Sequence, residues 1–221
     1  MRFNAALFDM DDTLISTRGL GFATMQSALG AQGIILSDEE VPGFDRAWRS
    51  GNVNNTEGWL KAAAERRGRG HEYKELLKNF YSRYVAAVAD APQLPGVDDF
   101  LKRVFPLLPL ALVTASMRAQ VDRVLRHHGW EGMFQVRVAQ EDYHQPKPNP
   151  EPYLIAAEKL KVKAGDCVVF EDSTSGITAA KRAGMYVIAV IAGSAQGIDT
   201  SFADVICRSF KEVQSYIFTN A

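Results

Sequence analysis

A short apolar segment that runs directly into acidic residues is the strongest constraint on this 221-residue chain. Residues 5–8 are apolar and have the length of a buried strand, and the sequence Asp-Met-Asp-Asp-Thr follows at 9–13. Buried charge without a partner is costly, and carboxylates this close repel one another, so these acids need a positive charge. A divalent cation would supply it, and such a site suits phosphoryl chemistry. The stretch alone also fits an ordinary strand-to-helix turn, with Asp12 or Thr13 capping the helix.

A second apolar segment, residues 110–113, ends in the small residues Thr114, Ala115 and Ser116, and a helical pattern follows. A hydroxyl group and free backbone N–H groups at the start of a helix can hold phosphate oxygens. An ordinary Ser or Thr helix cap explains the same residues.

A single lysine, Lys147, lies between Pro146 and Pro148. The prolines stiffen the backbone and restrict the residues before them, so the ammonium group is held in a defined place. It could pair with a phosphate and with a carboxylate nucleophile. Asn149 and Pro150 also read as the start of a helix, and the two interpretations are compatible.

A third apolar segment, residues 167–170, is followed by Glu171 and Asp172 and then by small residues. A capped turn explains one acid at this place. It does not explain a second acid pair at the end of a second buried strand.

The arrangement of apolar segments predicts an α/β protein. Helical patterns alternate with strand-like segments, which favours a Rossmann-like parallel sheet with helices on both faces. The four motifs then share the carboxyl edge of the sheet, where open α/β sheets bind ligands. Residues 15–91 show helical patterns without a convincing strand, so we predict a core of 1–14 and 92–221 and a helical insert of 15–91. The predicted strands lie near 3–8, 110–114, 135–139, 167–171, 186–190 and 204–207.

Composition narrows the class of function. A net charge of −1 gives no general attraction to nucleic acid or to an anionic membrane. No apolar run approaches the roughly 18–20 residues that span a bilayer, and no signal-peptide pattern is visible, so we expect a cytoplasmic protein. Cys167 and Cys207 read as reduced core residues, and no His and Cys set has zinc-ligand spacing.

Taken in order, the four motifs resemble those of the haloacid dehalogenase superfamily of phosphotransferases. The chain looks closest to the branch that includes phosphoglycolate phosphatase and β-phosphoglucomutase, which inserts a helical cap after the first motif. The resemblance implies a magnesium-dependent hydrolase of a small phosphorylated metabolite, as a monomer or small homo-oligomer.

The resemblance also implies roles for individual residues. Asp9 would be the nucleophile, and Asp11 the general acid and base. Thr114, the N–H group of Ala115 and Lys147 would hold the transferring phosphoryl group. Magnesium would bind the carboxylates of Asp9 and Asp172, the backbone carbonyl of Asp11, and Glu171 directly or through water.

Several alternatives stay open at this point. Dehalogenases and phosphonate hydrolases of this superfamily lack the second aspartate, so Asp11 counts against both. The mutase type carries a cap histidine where this chain has Gly21, which weakens a mutase function. A non-catalytic phosphate-binding module is the remaining class. Arg49 and Asn52 in the insert either contact the substrate or belong to a polar loop.

One residue departs from the family pattern. The position after the second aspartate is most often glycine in the family, and here it is Asp12. The extra carboxylate either raises the pKa of Asp11 or points away and caps a turn.

Overall fold

The computed structural model describes residues 3–17, 19–49, 53–192 and 197–219, and only the backbone of residues 49, 53, 54 and 219. Contacts within the chain divide it into two units. One is Met1–Ser16 with Pro92–Ala221, and the other is Thr17–Ala91.

Helices build the second unit, and its described residues contain no strand. Its elements are α1 (Leu20–Gly30), α2 (Val41–Arg49), α3 (Val53–Glu65) and α4 (Tyr73–Val88), with a 3-10 turn at Gly70–Glu72. On α4 the buried side chains recur every fourth residue, which places them on one face of the helix. They are Leu76, Phe80, Tyr84 and Val88.

Aromatic rings fill the interior of this helical unit. Phe44 is fully buried, and its ring centroid lies 5.2 Å from that of Trp59 and 6.2 Å from that of Trp48. Gly21 on α1 lies directly under Trp48, because a Cβ atom on residue 21 would lie 2.3 Å from the indole nitrogen. Position 21 therefore has no room for any side chain while Trp48 keeps this place.

The first unit contains a six-stranded sheet in which neighbouring strands are parallel. Its strand order is β3-β2-β1-β4-β5-β6. The order reverses between β1 and β4, and open α/β sheets bind their ligands at such a switch point. The strands are β1 (Ala5–Phe8), β2 (Leu110–Val113), β3 (Phe134–Val138), β4 (Cys167–Glu171), β5 (Tyr186–Val190) and β6 (Val205–Cys207).

The three central strands are buried along their whole length, as expected for a parallel sheet that is covered on both faces. This burial explains why their sequences do not alternate and are apolar throughout, except for Glu171 at the end of β4. The predicted fold class is confirmed, since each predicted strand segment contains or overlaps an observed strand.

Five helices accompany the strands among the described residues of the first unit. They are α5 (Val97–Val104), α6 (Arg118–His127), α7 (Glu151–Leu160), α8 (Thr174–Arg182) and α9 (Phe210–Thr219), with 3-10 turns at Gln140–Asp142 and Ala164–Asp166. Among the described residues, no helix combines the length and the apolar character that crossing a membrane requires.

Candidate active site

The carboxyl ends of the central strands bring the four motifs together. Asp9 continues β1, and its N–H group donates to the carbonyl of Phe170 at 3.0 Å. Thr114 continues β2 in the same way, with its N–H group 3.0 Å from the carbonyl oxygen of Val138. Because the sheet hydrogen bonds extend one residue past each strand, both side chains are fixed at the edge of the sheet.

Lys147 joins the first and fourth motifs. Its Nζ lies 2.7 Å from Oδ1 of Asp9, 2.7 Å from Oε1 of Glu171 and 3.0 Å from the carbonyl oxygen of Val113. The lysine side chain is only 7% exposed, so these three acceptors replace water around the ammonium group.

Glu171 is fully buried, and both of its carboxylate oxygens accept hydrogen bonds. Oε1 accepts from Lys147 and from the hydroxyl of Tyr153, which lies 2.9 Å away. Oε2 accepts from the N–H groups of Asp172 and Ser173 and from the Ser173 hydroxyl, all within 3.0 Å. Burial acts to raise the pKa of Glu171, but Lys147 and these donors lower it below its usual range.

The carboxylates of Asp9 and Asp172 have fewer favourable partners than that of Glu171. Burial raises the pKa of Asp9 well above its ordinary value, and Lys147 offsets this only in part. Burial and the neighbouring carboxylates of Glu171 and Asp9 likewise raise the pKa of Asp172. Burial by itself would lower the pKa of Lys147, but Asp9 and Glu171 outweigh burial and raise it, so the ammonium stays charged.

These carboxylates fit a divalent cation. Among the described residues, Asp9, Glu171 and Asp172 each offer an oxygen, and the three oxygens lie within 4.8 Å of one another. When ionised, these three carboxylates carry three negative charges, and Lys147, which pairs with Asp9 and Glu171, supplies one positive charge, so these four groups keep an excess that one divalent cation would neutralise. An all-oxygen donor set is the kind that magnesium prefers.

Asp11 points toward the second motif. Its Oδ2 accepts from the hydroxyl of Ser116 at 2.7 Å and lies 3.4 Å from the hydroxyl of Thr114. The Thr114 hydroxyl also accepts from the N–H group of Ser116 at 3.0 Å, so the loop after β2 holds its own shape. The carboxylate is thereby fixed beside the residues that the resemblance implies for phosphate binding.

Asp12 occupies the left-handed region of backbone conformation, with φ at 56°. Glycine adopts this region at little cost, whereas other residues do so with strain. The turn itself therefore accounts for glycine at this place in the family pattern. Asp12 also adds to the negative charge that raises the pKa of Asp172.

The structure brings six of the predicted site residues to one edge of the sheet: Asp9, Asp11, Thr114, Lys147, Glu171 and Asp172. Ala115 lies in the same loop and is partly exposed. The Arg49 side chain and Asn52 lie outside the described residues, so their roles stay predictions.

Sequence reasoning missed Tyr153 and the bond from Ser116 to Asp11. Tyr153 lies in an apolar helical pattern, and nothing local marks its hydroxyl as the partner of an acid 18 positions away. The sequence did offer a sign of the Ser116 contact, because Ser116 follows Thr114 by two residues and therefore lies on the same loop at the edge of the sheet.

Comparison with known proteins identifies the family. Residues 6–190 match the haloacid dehalogenase-like hydrolase family, so the chain belongs to that family. This confirms the resemblance drawn from the motifs, and with it the assignment as a hydrolase.

Individual relatives agree with this assignment. The chain is 32% identical over 142 residues to a bifunctional riboflavin kinase/FMN phosphatase of Arabidopsis thaliana. The aligned segment covers 63% of this chain and 38% of that protein. It is 27% identical over 221 residues to a validoxylamine A 7'-phosphate phosphatase of Streptomyces hygroscopicus subsp. limoneus, covering 96% of each protein. The crystal structure of CbbY from Rhodobacter sphaeroides in complex with phosphate has the same fold, with a TM-score of 0.77, 24% identity and 96% of each chain covered.

Proposed function

We propose that the protein is a magnesium-dependent phosphatase that hydrolyses a small phosphorylated metabolite through an aspartyl-phosphate on Asp9. The observation that carries the proposal is the contact of 2.7 Å between Asp9 and Lys147, at the switch point of the sheet and beside two further carboxylates. Two relatives named as phosphatases support the reaction class, because both are named for small phosphate esters.

In the first step an oxygen of Asp9 attacks the phosphorus atom, and the bond from phosphorus to the substrate's alkoxide oxygen breaks. Asp11 gives its proton to the departing alkoxide. In the second step water attacks the phosphorus of the aspartyl-phosphate, and Asp11 takes a proton from that water. Asp9 and inorganic phosphate are then released, so protons and phosphate balance over the cycle.

The surrounding residues hold the phosphoryl group. Lys147 neutralises charge on its oxygens while it touches Asp9, and Thr114 and the N–H group of Ala115 offer further donors. Asp9, Asp172 and the backbone carbonyl of Asp11 would bind magnesium, and Glu171 would bind it directly or through water. Bound magnesium supplies positive charge to the phosphoryl oxygens and favours the ionised form of Asp9.

The helical unit 17–91 is proposed as the cap that selects the substrate. Its Gly21 argues against the mutase type, in which a histidine stands at this place, because Trp48 leaves no space for a side chain there. Hydrolysis is therefore the favoured reaction. Arg49 and Asn52 remain candidates for substrate contact.

The test is a phosphate-release screen with purified protein, with and without magnesium. The panel contains sugar phosphates, phosphoglycolate, nucleoside monophosphates, FMN and β-glucose 1-phosphate. We expect magnesium-dependent release from a narrow set, lost in Asp9→Asn and strongly reduced in Asp11→Asn while both variants stay folded. Turnover by Asp9→Asn would contradict the mechanism, and turnover without magnesium would contradict the metal.

Two other outcomes point to the alternatives. Isomerisation of β-glucose 1-phosphate without phosphate release would show a mutase. No reaction with any compound, together with phosphate binding, would indicate a binding module.

A further inference from the structure

We propose that Tyr153 is a positioning residue of the active site, which acts through Glu171 to keep the Lys147 ammonium against the nucleophile Asp9. The inference rests on the proposed function. None of the roles implied by the family motifs involves this tyrosine.

Tyr153 has an unusual environment for a polar side chain. It lies in the first turn of α7 with no exposed surface, in an apolar cluster that includes Ala5, Leu7 and Val169. A buried hydroxyl group needs a hydrogen-bond partner, and here the partner is Oε1 of Glu171 at 2.9 Å. The same oxygen accepts the proton of Lys147 Nζ at 2.7 Å.

The tyrosine ring contacts the lysine as well. Lys147 Nζ lies 5.0 Å from the centroid of the Tyr153 ring, within the range of a cation–π contact. Tyr153 thus touches both members of the Lys147–Glu171 pair, one through its hydroxyl group and the other through its ring.

The second carboxylate oxygen of Glu171, Oε2, cannot replace Oε1 as the acceptor for Lys147 and Tyr153. Oε2 is held by three donors from the loop 171–173, so the carboxylate is fixed and Oε1 keeps its direction. Lys147 and Tyr153 therefore share one fixed oxygen. The Lys147 ammonium group donates one hydrogen bond to that oxygen and another to Oδ1 of Asp9, which is also 2.7 Å away.

Removal of the Tyr153 hydroxyl group would change the balance between the two hydrogen bonds of Lys147. With phenylalanine at position 153, Oε1 would lose a donor and remain buried, and it would draw the ammonium group toward itself. Lys147 would then move away from Asp9, where charge neutralisation is needed during phosphoryl transfer. The expected loss is in kcat, because the contact supports the reacting group and does not bind the remainder of the substrate.

The test compares Tyr153→Phe with Tyr186→Phe in the full chain with magnesium. Tyr186 also loses one hydroxyl hydrogen bond, a 2.6 Å contact with Tyr216, but it lies at the start of β5, at the opposite edge of the sheet. A hydrogen bond to a charged group corresponds to about tenfold or more in rate, so we expect kcat of Tyr153→Phe to fall by about that factor. KM should stay within about twofold, and Tyr186→Phe should keep the wild-type kcat.

A double-mutant cycle separates positioning from general packing. If Tyr153 acts through Glu171, Tyr153→Phe should lower kcat much less in a Glu171→Gln background than in wild type. Equal losses in both backgrounds, or a kcat of Tyr153→Phe within twofold of the control, would overturn the proposal and leave the phosphatase function intact.

A crystal structure of Tyr153→Phe gives a readout that does not depend on activity. We expect the distance from Lys147 Nζ to Asp9 Oδ1 to grow beyond hydrogen-bond range, about 3.5 Å. An unchanged distance would overturn the proposal. If wild-type protein hydrolyses nothing, the phosphatase function fails, and this distance alone decides whether Tyr153 positions Lys147.

Discussion

A Cβ atom on residue 176 would lie 1.7 Å from Oε1 of Glu171, so the glutamate carboxylate occupies the space that a side chain at Gly176 would fill. Gly176 lies in the first turn of α8, and its N–H group donates to the Ser173 hydroxyl at 3.0 Å. The helix can approach the acid this closely only because residue 176 has no side chain. The position of Glu171, and through it that of Lys147, therefore depends on a glycine.

Gly176→Ala should displace Glu171 and lower kcat by about tenfold or more, because Lys147 loses its fixed partner. Gly58→Ala is the matched control, since Gly58 is also a helical glycine and a Cβ atom there would meet nothing within 4 Å. The control should be as active as wild type and more stable by roughly 0.5–1 kcal/mol, because alanine favours the helix. Steady-state kinetics and urea unfolding measure both effects, and equal activity of the two variants would contradict the account.

Substitutions of Asp12 should change the stability of the protein by amounts that depend on the backbone conformation each new residue tolerates. With φ at 56°, valine at this position is strained and glycine is not. We expect the free energy of unfolding of Asp12→Val to be lower than that of Asp12→Gly by about 1–2 kcal/mol. Comparing the two variants with each other removes the effect of the lost charge. Equal midpoints in urea would show that the turn has another conformation in solution.

Magnesium should stabilise the protein through the acid cluster. At a concentration of about 100 times Kd a ligand adds roughly 2.7 kcal/mol, which corresponds to a rise in Tm of about 5 °C or more for a chain of this size. Asp172→Asn should remove most of this rise, and sodium chloride of equal ionic strength should not reproduce it. Differential scanning fluorimetry measures the shift, and a full shift in Asp172→Asn would contradict the assignment of this residue.

The magnesium effect should also depend on pH. Burial raises the pKa of Asp9 and of Asp172, so protons compete with the cation at a higher pH than for ordinary carboxylates. The rise in Tm should therefore shrink as the pH falls through these raised values. A magnesium shift that is constant down to pH 4 would be inconsistent with a cation held by these two carboxylates.

A second pH effect should come from Glu40 in the helical unit. Its carboxylate accepts from Arg67 at 2.5 and 2.8 Å and from Arg66 at 2.9 Å, and its side chain is only 13% exposed. The hydrogen bond from Arg67, followed by those from Ser37 and Arg66, outweighs burial and lowers the pKa of Glu40 well below its usual range. A lowered folded-state pKa stabilises the protein above the unfolded pKa of about 4.3, and this stabilisation is lost as the pH falls through the folded value.

Glu40→Gln should accordingly lower the free energy of unfolding by about 1–2 kcal/mol at pH 7, and the difference from wild type should shrink at and below pH 3. Glu65→Gln is the control, because Glu65 pairs with Lys61 only at 4.0 Å and both side chains are more than half exposed. It should change stability little at either pH. A difference for Glu40→Gln that is independent of pH would contradict the role of its charge.

The basic segment around Arg67 gains its ion-pair partners only in the tertiary structure. Arg66, Arg67 and Arg69 form a basic run in the sequence, which fits the basic end of a helix followed by glycine better than it fits nucleic-acid binding. In the structure all three form ion pairs, with Glu40 or with Glu72. These arginines therefore hold parts of the helical unit together, which agrees with a structural role for the run.

The sequence by itself determined the class of the protein. Continuous apolar segments such as 110–113 identify strands buried on both faces, and the acids that follow 5–8 and 167–170 mark the edge of the sheet that carries the candidate site. These features are readable because backbone propensity, burial pattern and turn chemistry depend on neighbouring residues. The order of the four motifs then sufficed to recognise the family.

Only the tertiary structure decided how the site is held together. Lys147 and Asp9 are 138 positions apart, and their contact exists because the loop before α7 brings the ammonium group to the carboxyl ends of β1, β2 and β4, where it also donates to Val113 and Glu171. Tyr153 reaches Glu171 with its hydroxyl group because α7 packs on the sheet, and Gly176 comes close to the same carboxylate because α8 does. A local pattern shows that an apolar segment or a helix is present, but the atoms that meet across the fold depend on register and close packing.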